Sequence, residues 1–472
     1  MTTLPTDSAS LLHAPPARRT RAFKSLSARA LERAGRAIVS AAMRRTEFGR
    51  VTLVDHTGTM PAETALTGNT PAAGPHATVH VRDPAFFAAA AFGGNLGIAE
   101  AFMDGLWDSD DLPTLVEIIA SNHAAMRGLE GPLARALTPL SRSLAWLERN
   151  TRAGSRRNIH AHYDLGNDFF ALFLDPTMTY SCGIFENNAT SLHQAQIEKI
   201  DRACRALELR PDDHLLEIGT GWGALALHAA SRYGCRVTTT TISAEQHRLA
   251  EERIRVAGLT DRITVLTLDY RDLPRRFPGT FDKLVSIEMV EAVGKEHFGD
   301  FALACSACLK PHGLAFIQSI VIRDQRFASA ARRRDFLKKH IFPGSCLPSV
   351  TSLLDAFRDR SDLFLARLDD IGPHYTTTLR LWRQSFLERR DDARRLGFDD
   401  RFLRMWEFYL AYCEGAFRAS YVGNAQMLLA KPRSRLRSTT PDLTAPGGTG
   451  RPPQTHASTP RTHTPASQGS PA

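Results

Sequence analysis

Between residues 214 and 322 the sequence alternates short apolar runs with longer amphipathic segments, and this alternation most constrains the fold. The apolar runs have the length of strands, whereas the segments between them have the spacing of helices. Strands that alternate with such helices form a parallel sheet covered on both faces. The sequence therefore predicts an α/β fold with a mostly parallel, doubly wound sheet. The predicted strands are 214–218, 236–241, 263–267, 283–287 and 314–322, and the predicted helices between them include 224–233 and 244–256.

A glycine-rich loop follows the first predicted strand. Residues 219–223 read Gly-Thr-Gly-Trp-Gly, and Glu217 stands two residues before them. Glycines allow a tight turn and a close approach of the backbone to a ligand, and the helix that follows offers unpaired N–H groups. The spacing differs from that of dinucleotide-binding loops, and no carboxylate ends the second strand to hold a ribose.

A second polar group, Asp269-Tyr270-Arg271, follows the third strand, where an adenine would lie in such a fold. A carboxylate there can accept a hydrogen bond from an amine, and an aromatic ring can stack on a base. Glu217 can likewise accept one from an ammonium group. This order of features predicts S-adenosylmethionine as the cofactor and a Rossmann-like class I methyltransferase fold. The cofactor-binding residues indicated by these patterns are Glu217, Gly219, Gly221, Trp222, Asp269, Tyr270 and Arg271.

Composition divides the rest of the chain into segments. Residues 1–24 are basic and polar, and residues 433–472 are dominated by Pro, Thr, Ser, Gly and Arg. Such segments bury too little apolar area to offset the entropy of ordering, so both are predicted to be disordered. A small helical N-terminal domain is predicted over 25–150, and the methyltransferase domain over 151–432.

The predicted N-terminal domain begins with a basic amphipathic helix over 25–45. This helix either packs on the protein or lies on anionic lipid, and the domain is predicted to associate with lipid. Further helices are predicted over 86–92 and 112–119. Turn-rich segments at 93–97 and 104–108 are predicted to join them.

The formal net charge of +9 favours an anionic partner such as a membrane surface. Part of this charge lies in the C-terminal tail, and nucleic acid is not expected as a partner. The sequence has no apolar run of spanning length and no secretory leader, and its seven cysteines show no disulfide framework. These features predict a cytoplasmic protein. Cys305 and Cys308 are predicted to be buried thiols, and no metal site is expected.

Several motifs resemble those of the cyclopropane-fatty-acyl-phospholipid synthase family, which includes the mycolic acid cyclopropane synthases and related lipid methyltransferases. The likeness covers about residues 78–432 and is specific in the combination of its motifs. The motifs are NIHAHYDLGNDFF at 158–170, TYSCGIF at 179–185, TISAEQ at 241–246, SIEMVEAVG at 286–294, IFPGSCLPS at 341–349, and His374-Tyr375 with Trp382.

The resemblance implies a reaction on an unsaturated phospholipid. A cis double bond of an acyl chain attacks the sulfonium methyl, and loss of a proton from the transferred methyl closes a cyclopropane ring. In the family a bound bicarbonate is the base, and its pocket corresponds here to Cys182, Glu291, Ile320 and Tyr375. The resemblance also implies a homodimer that works at the inner face of a membrane. It places S-adenosylmethionine against Tyr180, Ser181, Gly219, Gly221, Thr241, Ser243, Gln246 and Tyr270.

One position of the implied pocket departs from the family pattern. Well-known members have a histidine in the strand that ends near Ile320, and this chain has Gln318. Glutamine can hydrogen-bond to an anion but cannot carry a proton, so the pattern supports methyl transfer without fixing ring closure. Glu288 is a rival for the role of Glu291. The alternatives are a methyl- or methylene-branched lipid, a methylated small molecule, or a lipid-binding protein that has lost catalysis.

Two further segments have two interpretations each. The aromatic series between Phe402 and Tyr421 has helical spacing and forms either core or a channel for an acyl chain. Lys338, Lys339 and His340 either meet a lipid phosphate or form a solvated basic face.

Overall fold

The computed structural model of this protein describes four stretches of the chain, and those up to Ser434 belong to one compact unit. The predicted domain boundary near residue 150 lies outside the described residues. So do the predicted disordered ends, apart from residues 433–435, and the part of the 158–170 motif that precedes Leu165. The described stretches are 26–57, 63–67, 74–122 and 165–435.

The N-terminal part contains a small mixed sheet as well as helices. Its strands are β1 (Arg50–Asp55), β2 (Glu63–Thr67), β3 (His76–Val81) and β4 (Trp107–Ser109), in the order β2-β1-β3-β4. Strands β1 and β3 are parallel, and the outer pairs are antiparallel. Its helices are α1 (Leu26–Met43), α2 (Ala85–Met103) and α3 (Leu112–Ser121).

The predicted turn at 93–97 is wrong, because α2 continues through it. Only Gly94 leaves the helical conformation, with φ of 56°, and it produces a kink. Gly97 lies so close to the turn before the kink that a Cβ atom there would be 2.2 Å from the carbonyl oxygen of Ala89. The glycines therefore allow a bent helix with close backbone contact. Their number had instead indicated that the chain reverses direction here.

A seven-stranded sheet forms the centre of the second part. Its strands are β5 (His214–Ile218), β6 (Arg236–Thr241), β7 (Ile263–Thr267), β8 (Phe281–Ile287), β9 (Leu309–Ile322), β10 (Phe364–Asp370) and β11 (Val422–Ala430). They lie in the order β10-β11-β9-β8-β5-β6-β7. Strands β5 to β9 pair in parallel, and β11 is antiparallel to both neighbours. The predicted parallel, doubly wound sheet is confirmed.

The helices of this part pack against the sheet and against one another. They are α4 (Asn167–Phe170), α5 (Leu192–Ala206), α6 (Ala224–Tyr233), α7 (Ala244–Val256), α8 (Leu273–Arg276), α9 (Phe298–Cys308), α10 (Asp324–Ala330), α11 (Val350–Arg360), α12 (Gly372–Glu388), α13 (Arg390–Arg395) and α14 (Asp400–Arg418). Serine side chains begin several of them: Ser191 and Ser349 each form a capping box, and Ser243 caps α7. Cys305 and Cys308 of α9 are buried in the core, and no metal-binding cluster occurs among the described residues.

Helix α14 joins the two parts of the protein. It packs against α2 and α3 of the N-terminal part and against α12 of the second part. Arg404 on α14 donates to the carbonyl oxygen of Trp107 and lies 4.1 Å from the ring centroid of Phe102. The N-terminal part is therefore fixed to helices α12 and α14 of the second part.

Helix α2 is, among the described residues, the one helix long and apolar enough to cross a membrane by length and composition. In this structure 44% of its apolar window is buried inside the protein. Its buried side chains include Phe86, Phe87 and Phe102. These contacts are those of a core helix that leaves part of its surface uncovered.

The contact between α14 and α3 predicts the effect of a single methyl group. A Cβ atom at Gly415 would lie 2.5 Å from the carbonyl oxygen of Pro113 and 2.6 Å from Cβ of Val116. We expect Gly415→Ala to lower the free energy of unfolding by about 1–3 kcal/mol in denaturant titrations. Gly93→Ala is the control, because its Cβ meets nothing within 4 Å and alanine favours a helix. Equal stability of the two variants would contradict this packing.

Candidate active site

A cavity of about 730 Å³ opens at the carboxyl ends of the parallel strands. This is the edge at which doubly wound sheets bind ligands. One end of the cavity is formed by the glycine loop and the ends of β6 and β7, and the other by α12, α14 and the start of β11. Predicted site residues that line it are Tyr180, Gly219, Gly221, Trp222, Thr241, Gln246, Asp269, Tyr270, Glu291, Ile320 and Tyr375.

The glycine loop adopts a backbone conformation that other residues rarely take. Gly219, Gly221 and Gly223 have φ of 107°, 51° and 86°. The N–H groups of Gly219 and Thr220 both donate to the carbonyl oxygen of Thr240, which ties the loop to β6. A Cβ atom added at Gly221 would meet no atom within 4 Å, so the cavity face of this residue is open to a ligand. The loop fits the close approach that a cofactor needs.

The cavity face beside the loop, at the ends of β6 and β7, is built from polar side chains that order one another. Asp269 accepts hydrogen bonds from the guanidinium of Arg271, with 2.8 Å to Nε and 2.6 Å to Nη2. Thr241 donates to Gln246 over 2.9 Å. The hydroxyl of Tyr270 is buried without a partner, and burial raises its pKa well above the usual range. An unsatisfied hydroxyl beside an acidic side chain suits a polar, ring-shaped ligand such as adenosine.

Four predicted residues lie behind the cavity wall. Ser243 caps α7, and Gln318 lies inside the sheet. Ser181 accepts a hydrogen bond from the buried Nζ of Lys199 over 2.8 Å. Glu217 is buried under the glycine loop with Oε2 unpartnered, and burial raises its pKa to about 8. These residues support the wall in this structure, and their roles in cofactor binding stay predictions.

A buried hydrogen-bond network converges on Glu288. Its Oε1 accepts from the N–H of Cys182 (3.1 Å), from Nε2 of Gln318 (2.8 Å) and from Nδ2 of Asn424 (2.6 Å). Its Oε2 accepts from the hydroxyl of Tyr375 over 2.7 Å. Glu288 also has φ of 48°, in the left-handed region that non-glycine residues seldom adopt. The surrounding donors thus hold the carboxylate in one orientation at the cavity wall, on a residue with a strained backbone conformation.

Glu291 lies near Glu288 in a different environment. Its Oε1 accepts from the hydroxyl of Ser319 (3.0 Å) and from the N–H of Ile320 (2.5 Å), whereas Oε2 is buried without a partner. Burial, and then the negative charge of Glu288, raise its pKa to about 8. At neutral pH this side chain is therefore mainly protonated.

The thiol of Cys182 is fully buried and donates to the carbonyl oxygen of Gly183 over 3.3 Å. Burial and the charge of Glu288 raise its pKa well above the usual range. The same causes raise the pKa of the Tyr375 hydroxyl. Both groups stay protonated, and Cys182 reaches Glu288 through its backbone N–H.

The bicarbonate implied by the resemblance does not fit these residues. The N–H of Cys182 and the hydroxyl of Tyr375 already donate to Glu288, and the N–H of Ile320 already donates to Glu291. A second anion would lose these donors and would face the charge of Glu288. We therefore assign no catalytic step to bicarbonate.

The aromatic series between Phe402 and Tyr421 is divided between the core and the cavity wall. Phe402 and Trp406 stack at 5.8 Å inside the aromatic core with Phe169. Farther along the chain, the side chains turn to the cavity, where they meet Phe342 from the segment before α11. The cavity-lining members of the series are Tyr409, Cys413, Phe417 and Tyr421.

The basic run before the 341–349 motif divides in a similar way. Lys339 and His340 both bind Glu100 of α2, with 2.9 Å between His340 Nε2 and Glu100 Oε1. Lys338 lines the cavity, and its Nζ donates to the carbonyl oxygens of Ala330 and Arg333. Lys339 and His340 therefore match neither predicted alternative, a phosphate contact or a solvated basic face. They connect the N-terminal part to the rim of the cavity.

Comparison with known proteins identifies the family. The model of the family "Mycolic acid cyclopropane synthetase" matches residues 150–427. The chain belongs to this family. It is an S-adenosylmethionine-dependent methyltransferase with a class I methyltransferase fold, as the glycine loop and the alternation of strands and helices predicted.

Two relatives match over most of their length. The tuberculostearic acid methyltransferase UfaA1 of Mycobacterium tuberculosis is 39% identical over 345 residues, which are 72% of this chain and 79% of the relative. The cyclopropane-fatty-acyl-phospholipid synthase of Escherichia coli K12 is 33% identical over 374 residues, which are 78% of this chain and 90% of the relative.

Solved structures of the family have the same fold. The cyclopropane synthase MmaA2 of M. tuberculosis superposes with a TM-score of 0.54 at 31% identity, covering 58% of this chain and 98% of that chain. The mycolic acid cyclopropane synthase CmaA1, bound to SAH and CTAB, gives a TM-score of 0.54 at 30% identity with the same coverage.

Two site residues could not have been found from local patterns. Asn424 lies on β11, which the sequence did not indicate as a strand, and its contact with Glu288 joins residues far apart in the chain. Lys199 is a buried lysine on α5, a position at which helical spacing alone does not distinguish a core cation from an exposed one. Glu288 had a usable signal, since it stands three residues before Glu291 at the end of a strand.

The glycine loop predicts a test of cofactor binding. Alanine at Gly219 takes a strained φ of 107°, and its Cβ meets the side chain of Met289 at 3.2 Å. We expect Gly219→Ala to raise the Kd for S-adenosylmethionine at least about tenfold in calorimetric titration. Gly258→Ala is the matched control, because Gly258 also has positive φ, at 68°, and lies outside the cavity. Loss of affinity in both variants would contradict a specific role for the loop.

The protonation of Glu291 predicts a pH dependence of stability. Its pKa of about 8 in the folded protein exceeds the usual value of about 4.3 for an unfolded chain. The folded state therefore holds a proton that the unfolded chain releases, and the free energy of unfolding falls as pH rises through this window. We expect the free energy of unfolding of the Glu291→Gln variant to fall less steeply than that of the wild type between about pH 5 and 8 in denaturant titrations. An unchanged slope would contradict a buried, protonated Glu291.

Proposed function

We propose that this enzyme transfers a methyl group from S-adenosylmethionine to the cis double bond of a phospholipid acyl chain and closes a cyclopropane ring. The observation that carries the proposal is one cavity that joins the glycine loop, an aromatic wall and the carboxylate of Glu288. The E. coli relative named a cyclopropane-fatty-acyl-phospholipid synthase supports this substrate.

The cofactor, when bound, supplies an electrophilic methyl group at the glycine loop. Gly219, Gly221, Thr241, Asp269 and Tyr270 would hold it, because they form one continuous face of the cavity. An alkene is a weak nucleophile, so much of the rate must come from alignment of the double bond with that methyl. The rigid aromatic wall on α12 and α14 restricts how an acyl chain can lie.

Methyl transfer leaves a positive charge on the acyl chain, and the wall is suited to stabilise it. Tyr375 and Phe417 lie with ring centroids 4.5 Å apart, and both line the cavity. The π faces of aromatic rings attract a cation, most strongly where water is excluded. The carboxylate of Glu288 adds a fixed negative charge beside Tyr375.

Glu288 is the group that accepts the proton lost from the transferred methyl. Its four donors hold the carboxylate in one orientation at the cavity wall. A proton beside a carbocation is strongly acidic, so a weak base in the right position is sufficient. In this proposal Glu291, mainly protonated at neutral pH, supports the wall and does not compete for the proton.

A methylene-branched lipid is the second candidate product. The 39% identical relative is named a tuberculostearic acid methyltransferase, and this chain departs from the family pattern at Gln318. A hydride shift in the cation before proton loss would give an exocyclic double bond in place of the ring. Both products lose one proton from the transferred methyl, so both can use Glu288.

The location and assembly of the enzyme are part of the same proposal. A phospholipid substrate requires access to a bilayer, so we propose a cytoplasmic protein that works at the inner face of the membrane. The uncovered surface of the apolar helix α2 and the basic residues near the cavity support contact with lipid. The homodimer implied by the family resemblance stays a prediction.

The test is expression in a bacterium that lacks its own cyclopropane synthase, followed by mass spectrometry of the membrane fatty acids. The proposal predicts new acids heavier than the monounsaturated ones by one CH₂ unit. Methyl-deuterated cofactor should leave two deuterium atoms in the product, and nuclear magnetic resonance separates a ring from a methylene branch. Absence of such acids, despite soluble protein that binds S-adenosylmethionine, would refute the phospholipid substrate in that host.

Glu288 provides a prediction at the level of one residue. We expect Glu288→Gln to lower kcat by about 100-fold or more, because the side chain keeps its shape and loses the ability to accept the proton. The Kd for S-adenosylmethionine should change little. Glu291→Gln is the comparison, and it should keep far more activity because Glu291 is already neutral near pH 7. The reverse order of the two variants would assign the base to Glu291.

A further inference from the structure

The outer end of the cavity contains a guanidinium group without an acceptor. Arg326 on α10 lines the cavity, and its Nη1 is buried with no hydrogen-bond partner. Its Cζ lies 4.3 Å from the ring centroid of Tyr421, which fixes the plane of the group. Within the described residues Arg326 forms no ion pair. A buried donor on a cation calls for an anionic acceptor that enters the cavity with a ligand.

The pairing of β9 with β11 relates this group to the reaction centre. Asn424, which donates to Glu288, is paired with Ile320, and two residues farther out Val422 is paired with Ile322. Tyr421 follows at the outer end, against Arg326. One wall therefore runs from the carboxylates through apolar side chains to a cation, over a distance of roughly 10 Å along the strand.

This sequence of surfaces matches the chemistry of a phospholipid. Ile320, Ile322 and Val422 offer an apolar track for an acyl chain, and the cation stands where the track ends. Basic residues outnumber acidic ones around that end of the cavity. The basic residues from the start of α10 to the 341–349 motif include Arg326, Arg332, Arg333, Arg334 and Lys338.

We propose that Arg326 binds the phosphate group of the phospholipid substrate while the acyl chain lies along this wall toward Glu288. The inference rests on the proposed function and adds the residue that selects a phosphate-bearing lipid. A planar guanidinium, held by Tyr421, presents paired N–H donors to two phosphate oxygens. The contact fixes the phosphate end of the lipid. The length of chain between the phosphate and the double bond then determines how deep the double bond lies in the cavity.

The test compares two lipids with the same oleoyl chains in the same neutral detergent micelles. Dioleoylphosphatidylcholine carries the phosphate without net charge, and dioleoylglycerol lacks it. For the purified full chain we expect Arg326→Gln to raise the KM for dioleoylphosphatidylcholine about tenfold, on the scale of one charge-assisted hydrogen bond. Turnover of dioleoylglycerol and the Kd for S-adenosylmethionine should not change.

Arg323→Gln is the matched control, because it removes the same charge from an exposed position three residues away that does not line the cavity. It should behave as the wild type with both lipids. Equal losses on both lipids, wild-type behaviour of Arg326→Gln, or the same effect from Arg323→Gln would each overturn the assignment of the phosphate. Wild-type protein that methylates neither lipid would instead overturn the proposed function, and this inference with it.

Discussion

The hydrogen-bond network around the half-buried carboxylate of Glu288 is the interaction on which the active site depends. Its donors come from four separate segments: the 179–185 motif, β9, α12 and β11. A carboxylate is costly to bury unless its oxygens are hydrogen-bonded, so the network forms only when all four segments are in place. The same donors hold Glu288 at a positive φ that an isolated turn would not keep. The fold thus assembles the site and is in turn constrained by it.

The two neighbouring glutamates show how environment divides their roles. Glu288 receives donors on both oxygens, whereas Glu291 has one bare oxygen and a pKa raised to about 8. Burial, and then the negative charge of Glu288, keep the proton on Glu291. Their proximity along the chain left Glu291 and Glu288 as rivals, and only the long-range donors distinguish them. The family resemblance pointed to Glu291 because it aligns motifs and contains no information on where Asn424 lies.

The sequence predicted the parts of the fold that local patterns encode. Strands β5, β6 and β7 and helices α6 and α7 have the predicted bounds, because apolar alternation and helix caps are local signals. Strands β10 and β11 were not predicted, since β10 is largely exposed, β11 depends on antiparallel pairing with β9, and β10 depends on antiparallel pairing with β11. The glycines of α2 indicated a turn because composition does not separate a kinked helix from a reversal. Of the predicted cofactor residues, Gly219, Gly221, Asp269 and Tyr270 line the cavity, whereas Ser181 is turned away from it and accepts a hydrogen bond from the buried Lys199.

The N-terminal part completes the cavity and cannot be treated as an accessory. Asn95, just after the kink of α2, lines the same cavity as the glycine loop. Glu100 on α2 forms ion pairs with Lys339 and His340, which belong to the basic segment before the 341–349 motif at the rim of the cavity. Helix α14 connects α3 to the aromatic wall through the close contact at Gly415. Because ion pairs and close packing couple these elements, a displacement of α2 would alter the rim and the wall together. In the proposed reaction, the entry of the lipid and the alignment of its double bond therefore depend on both parts of the chain.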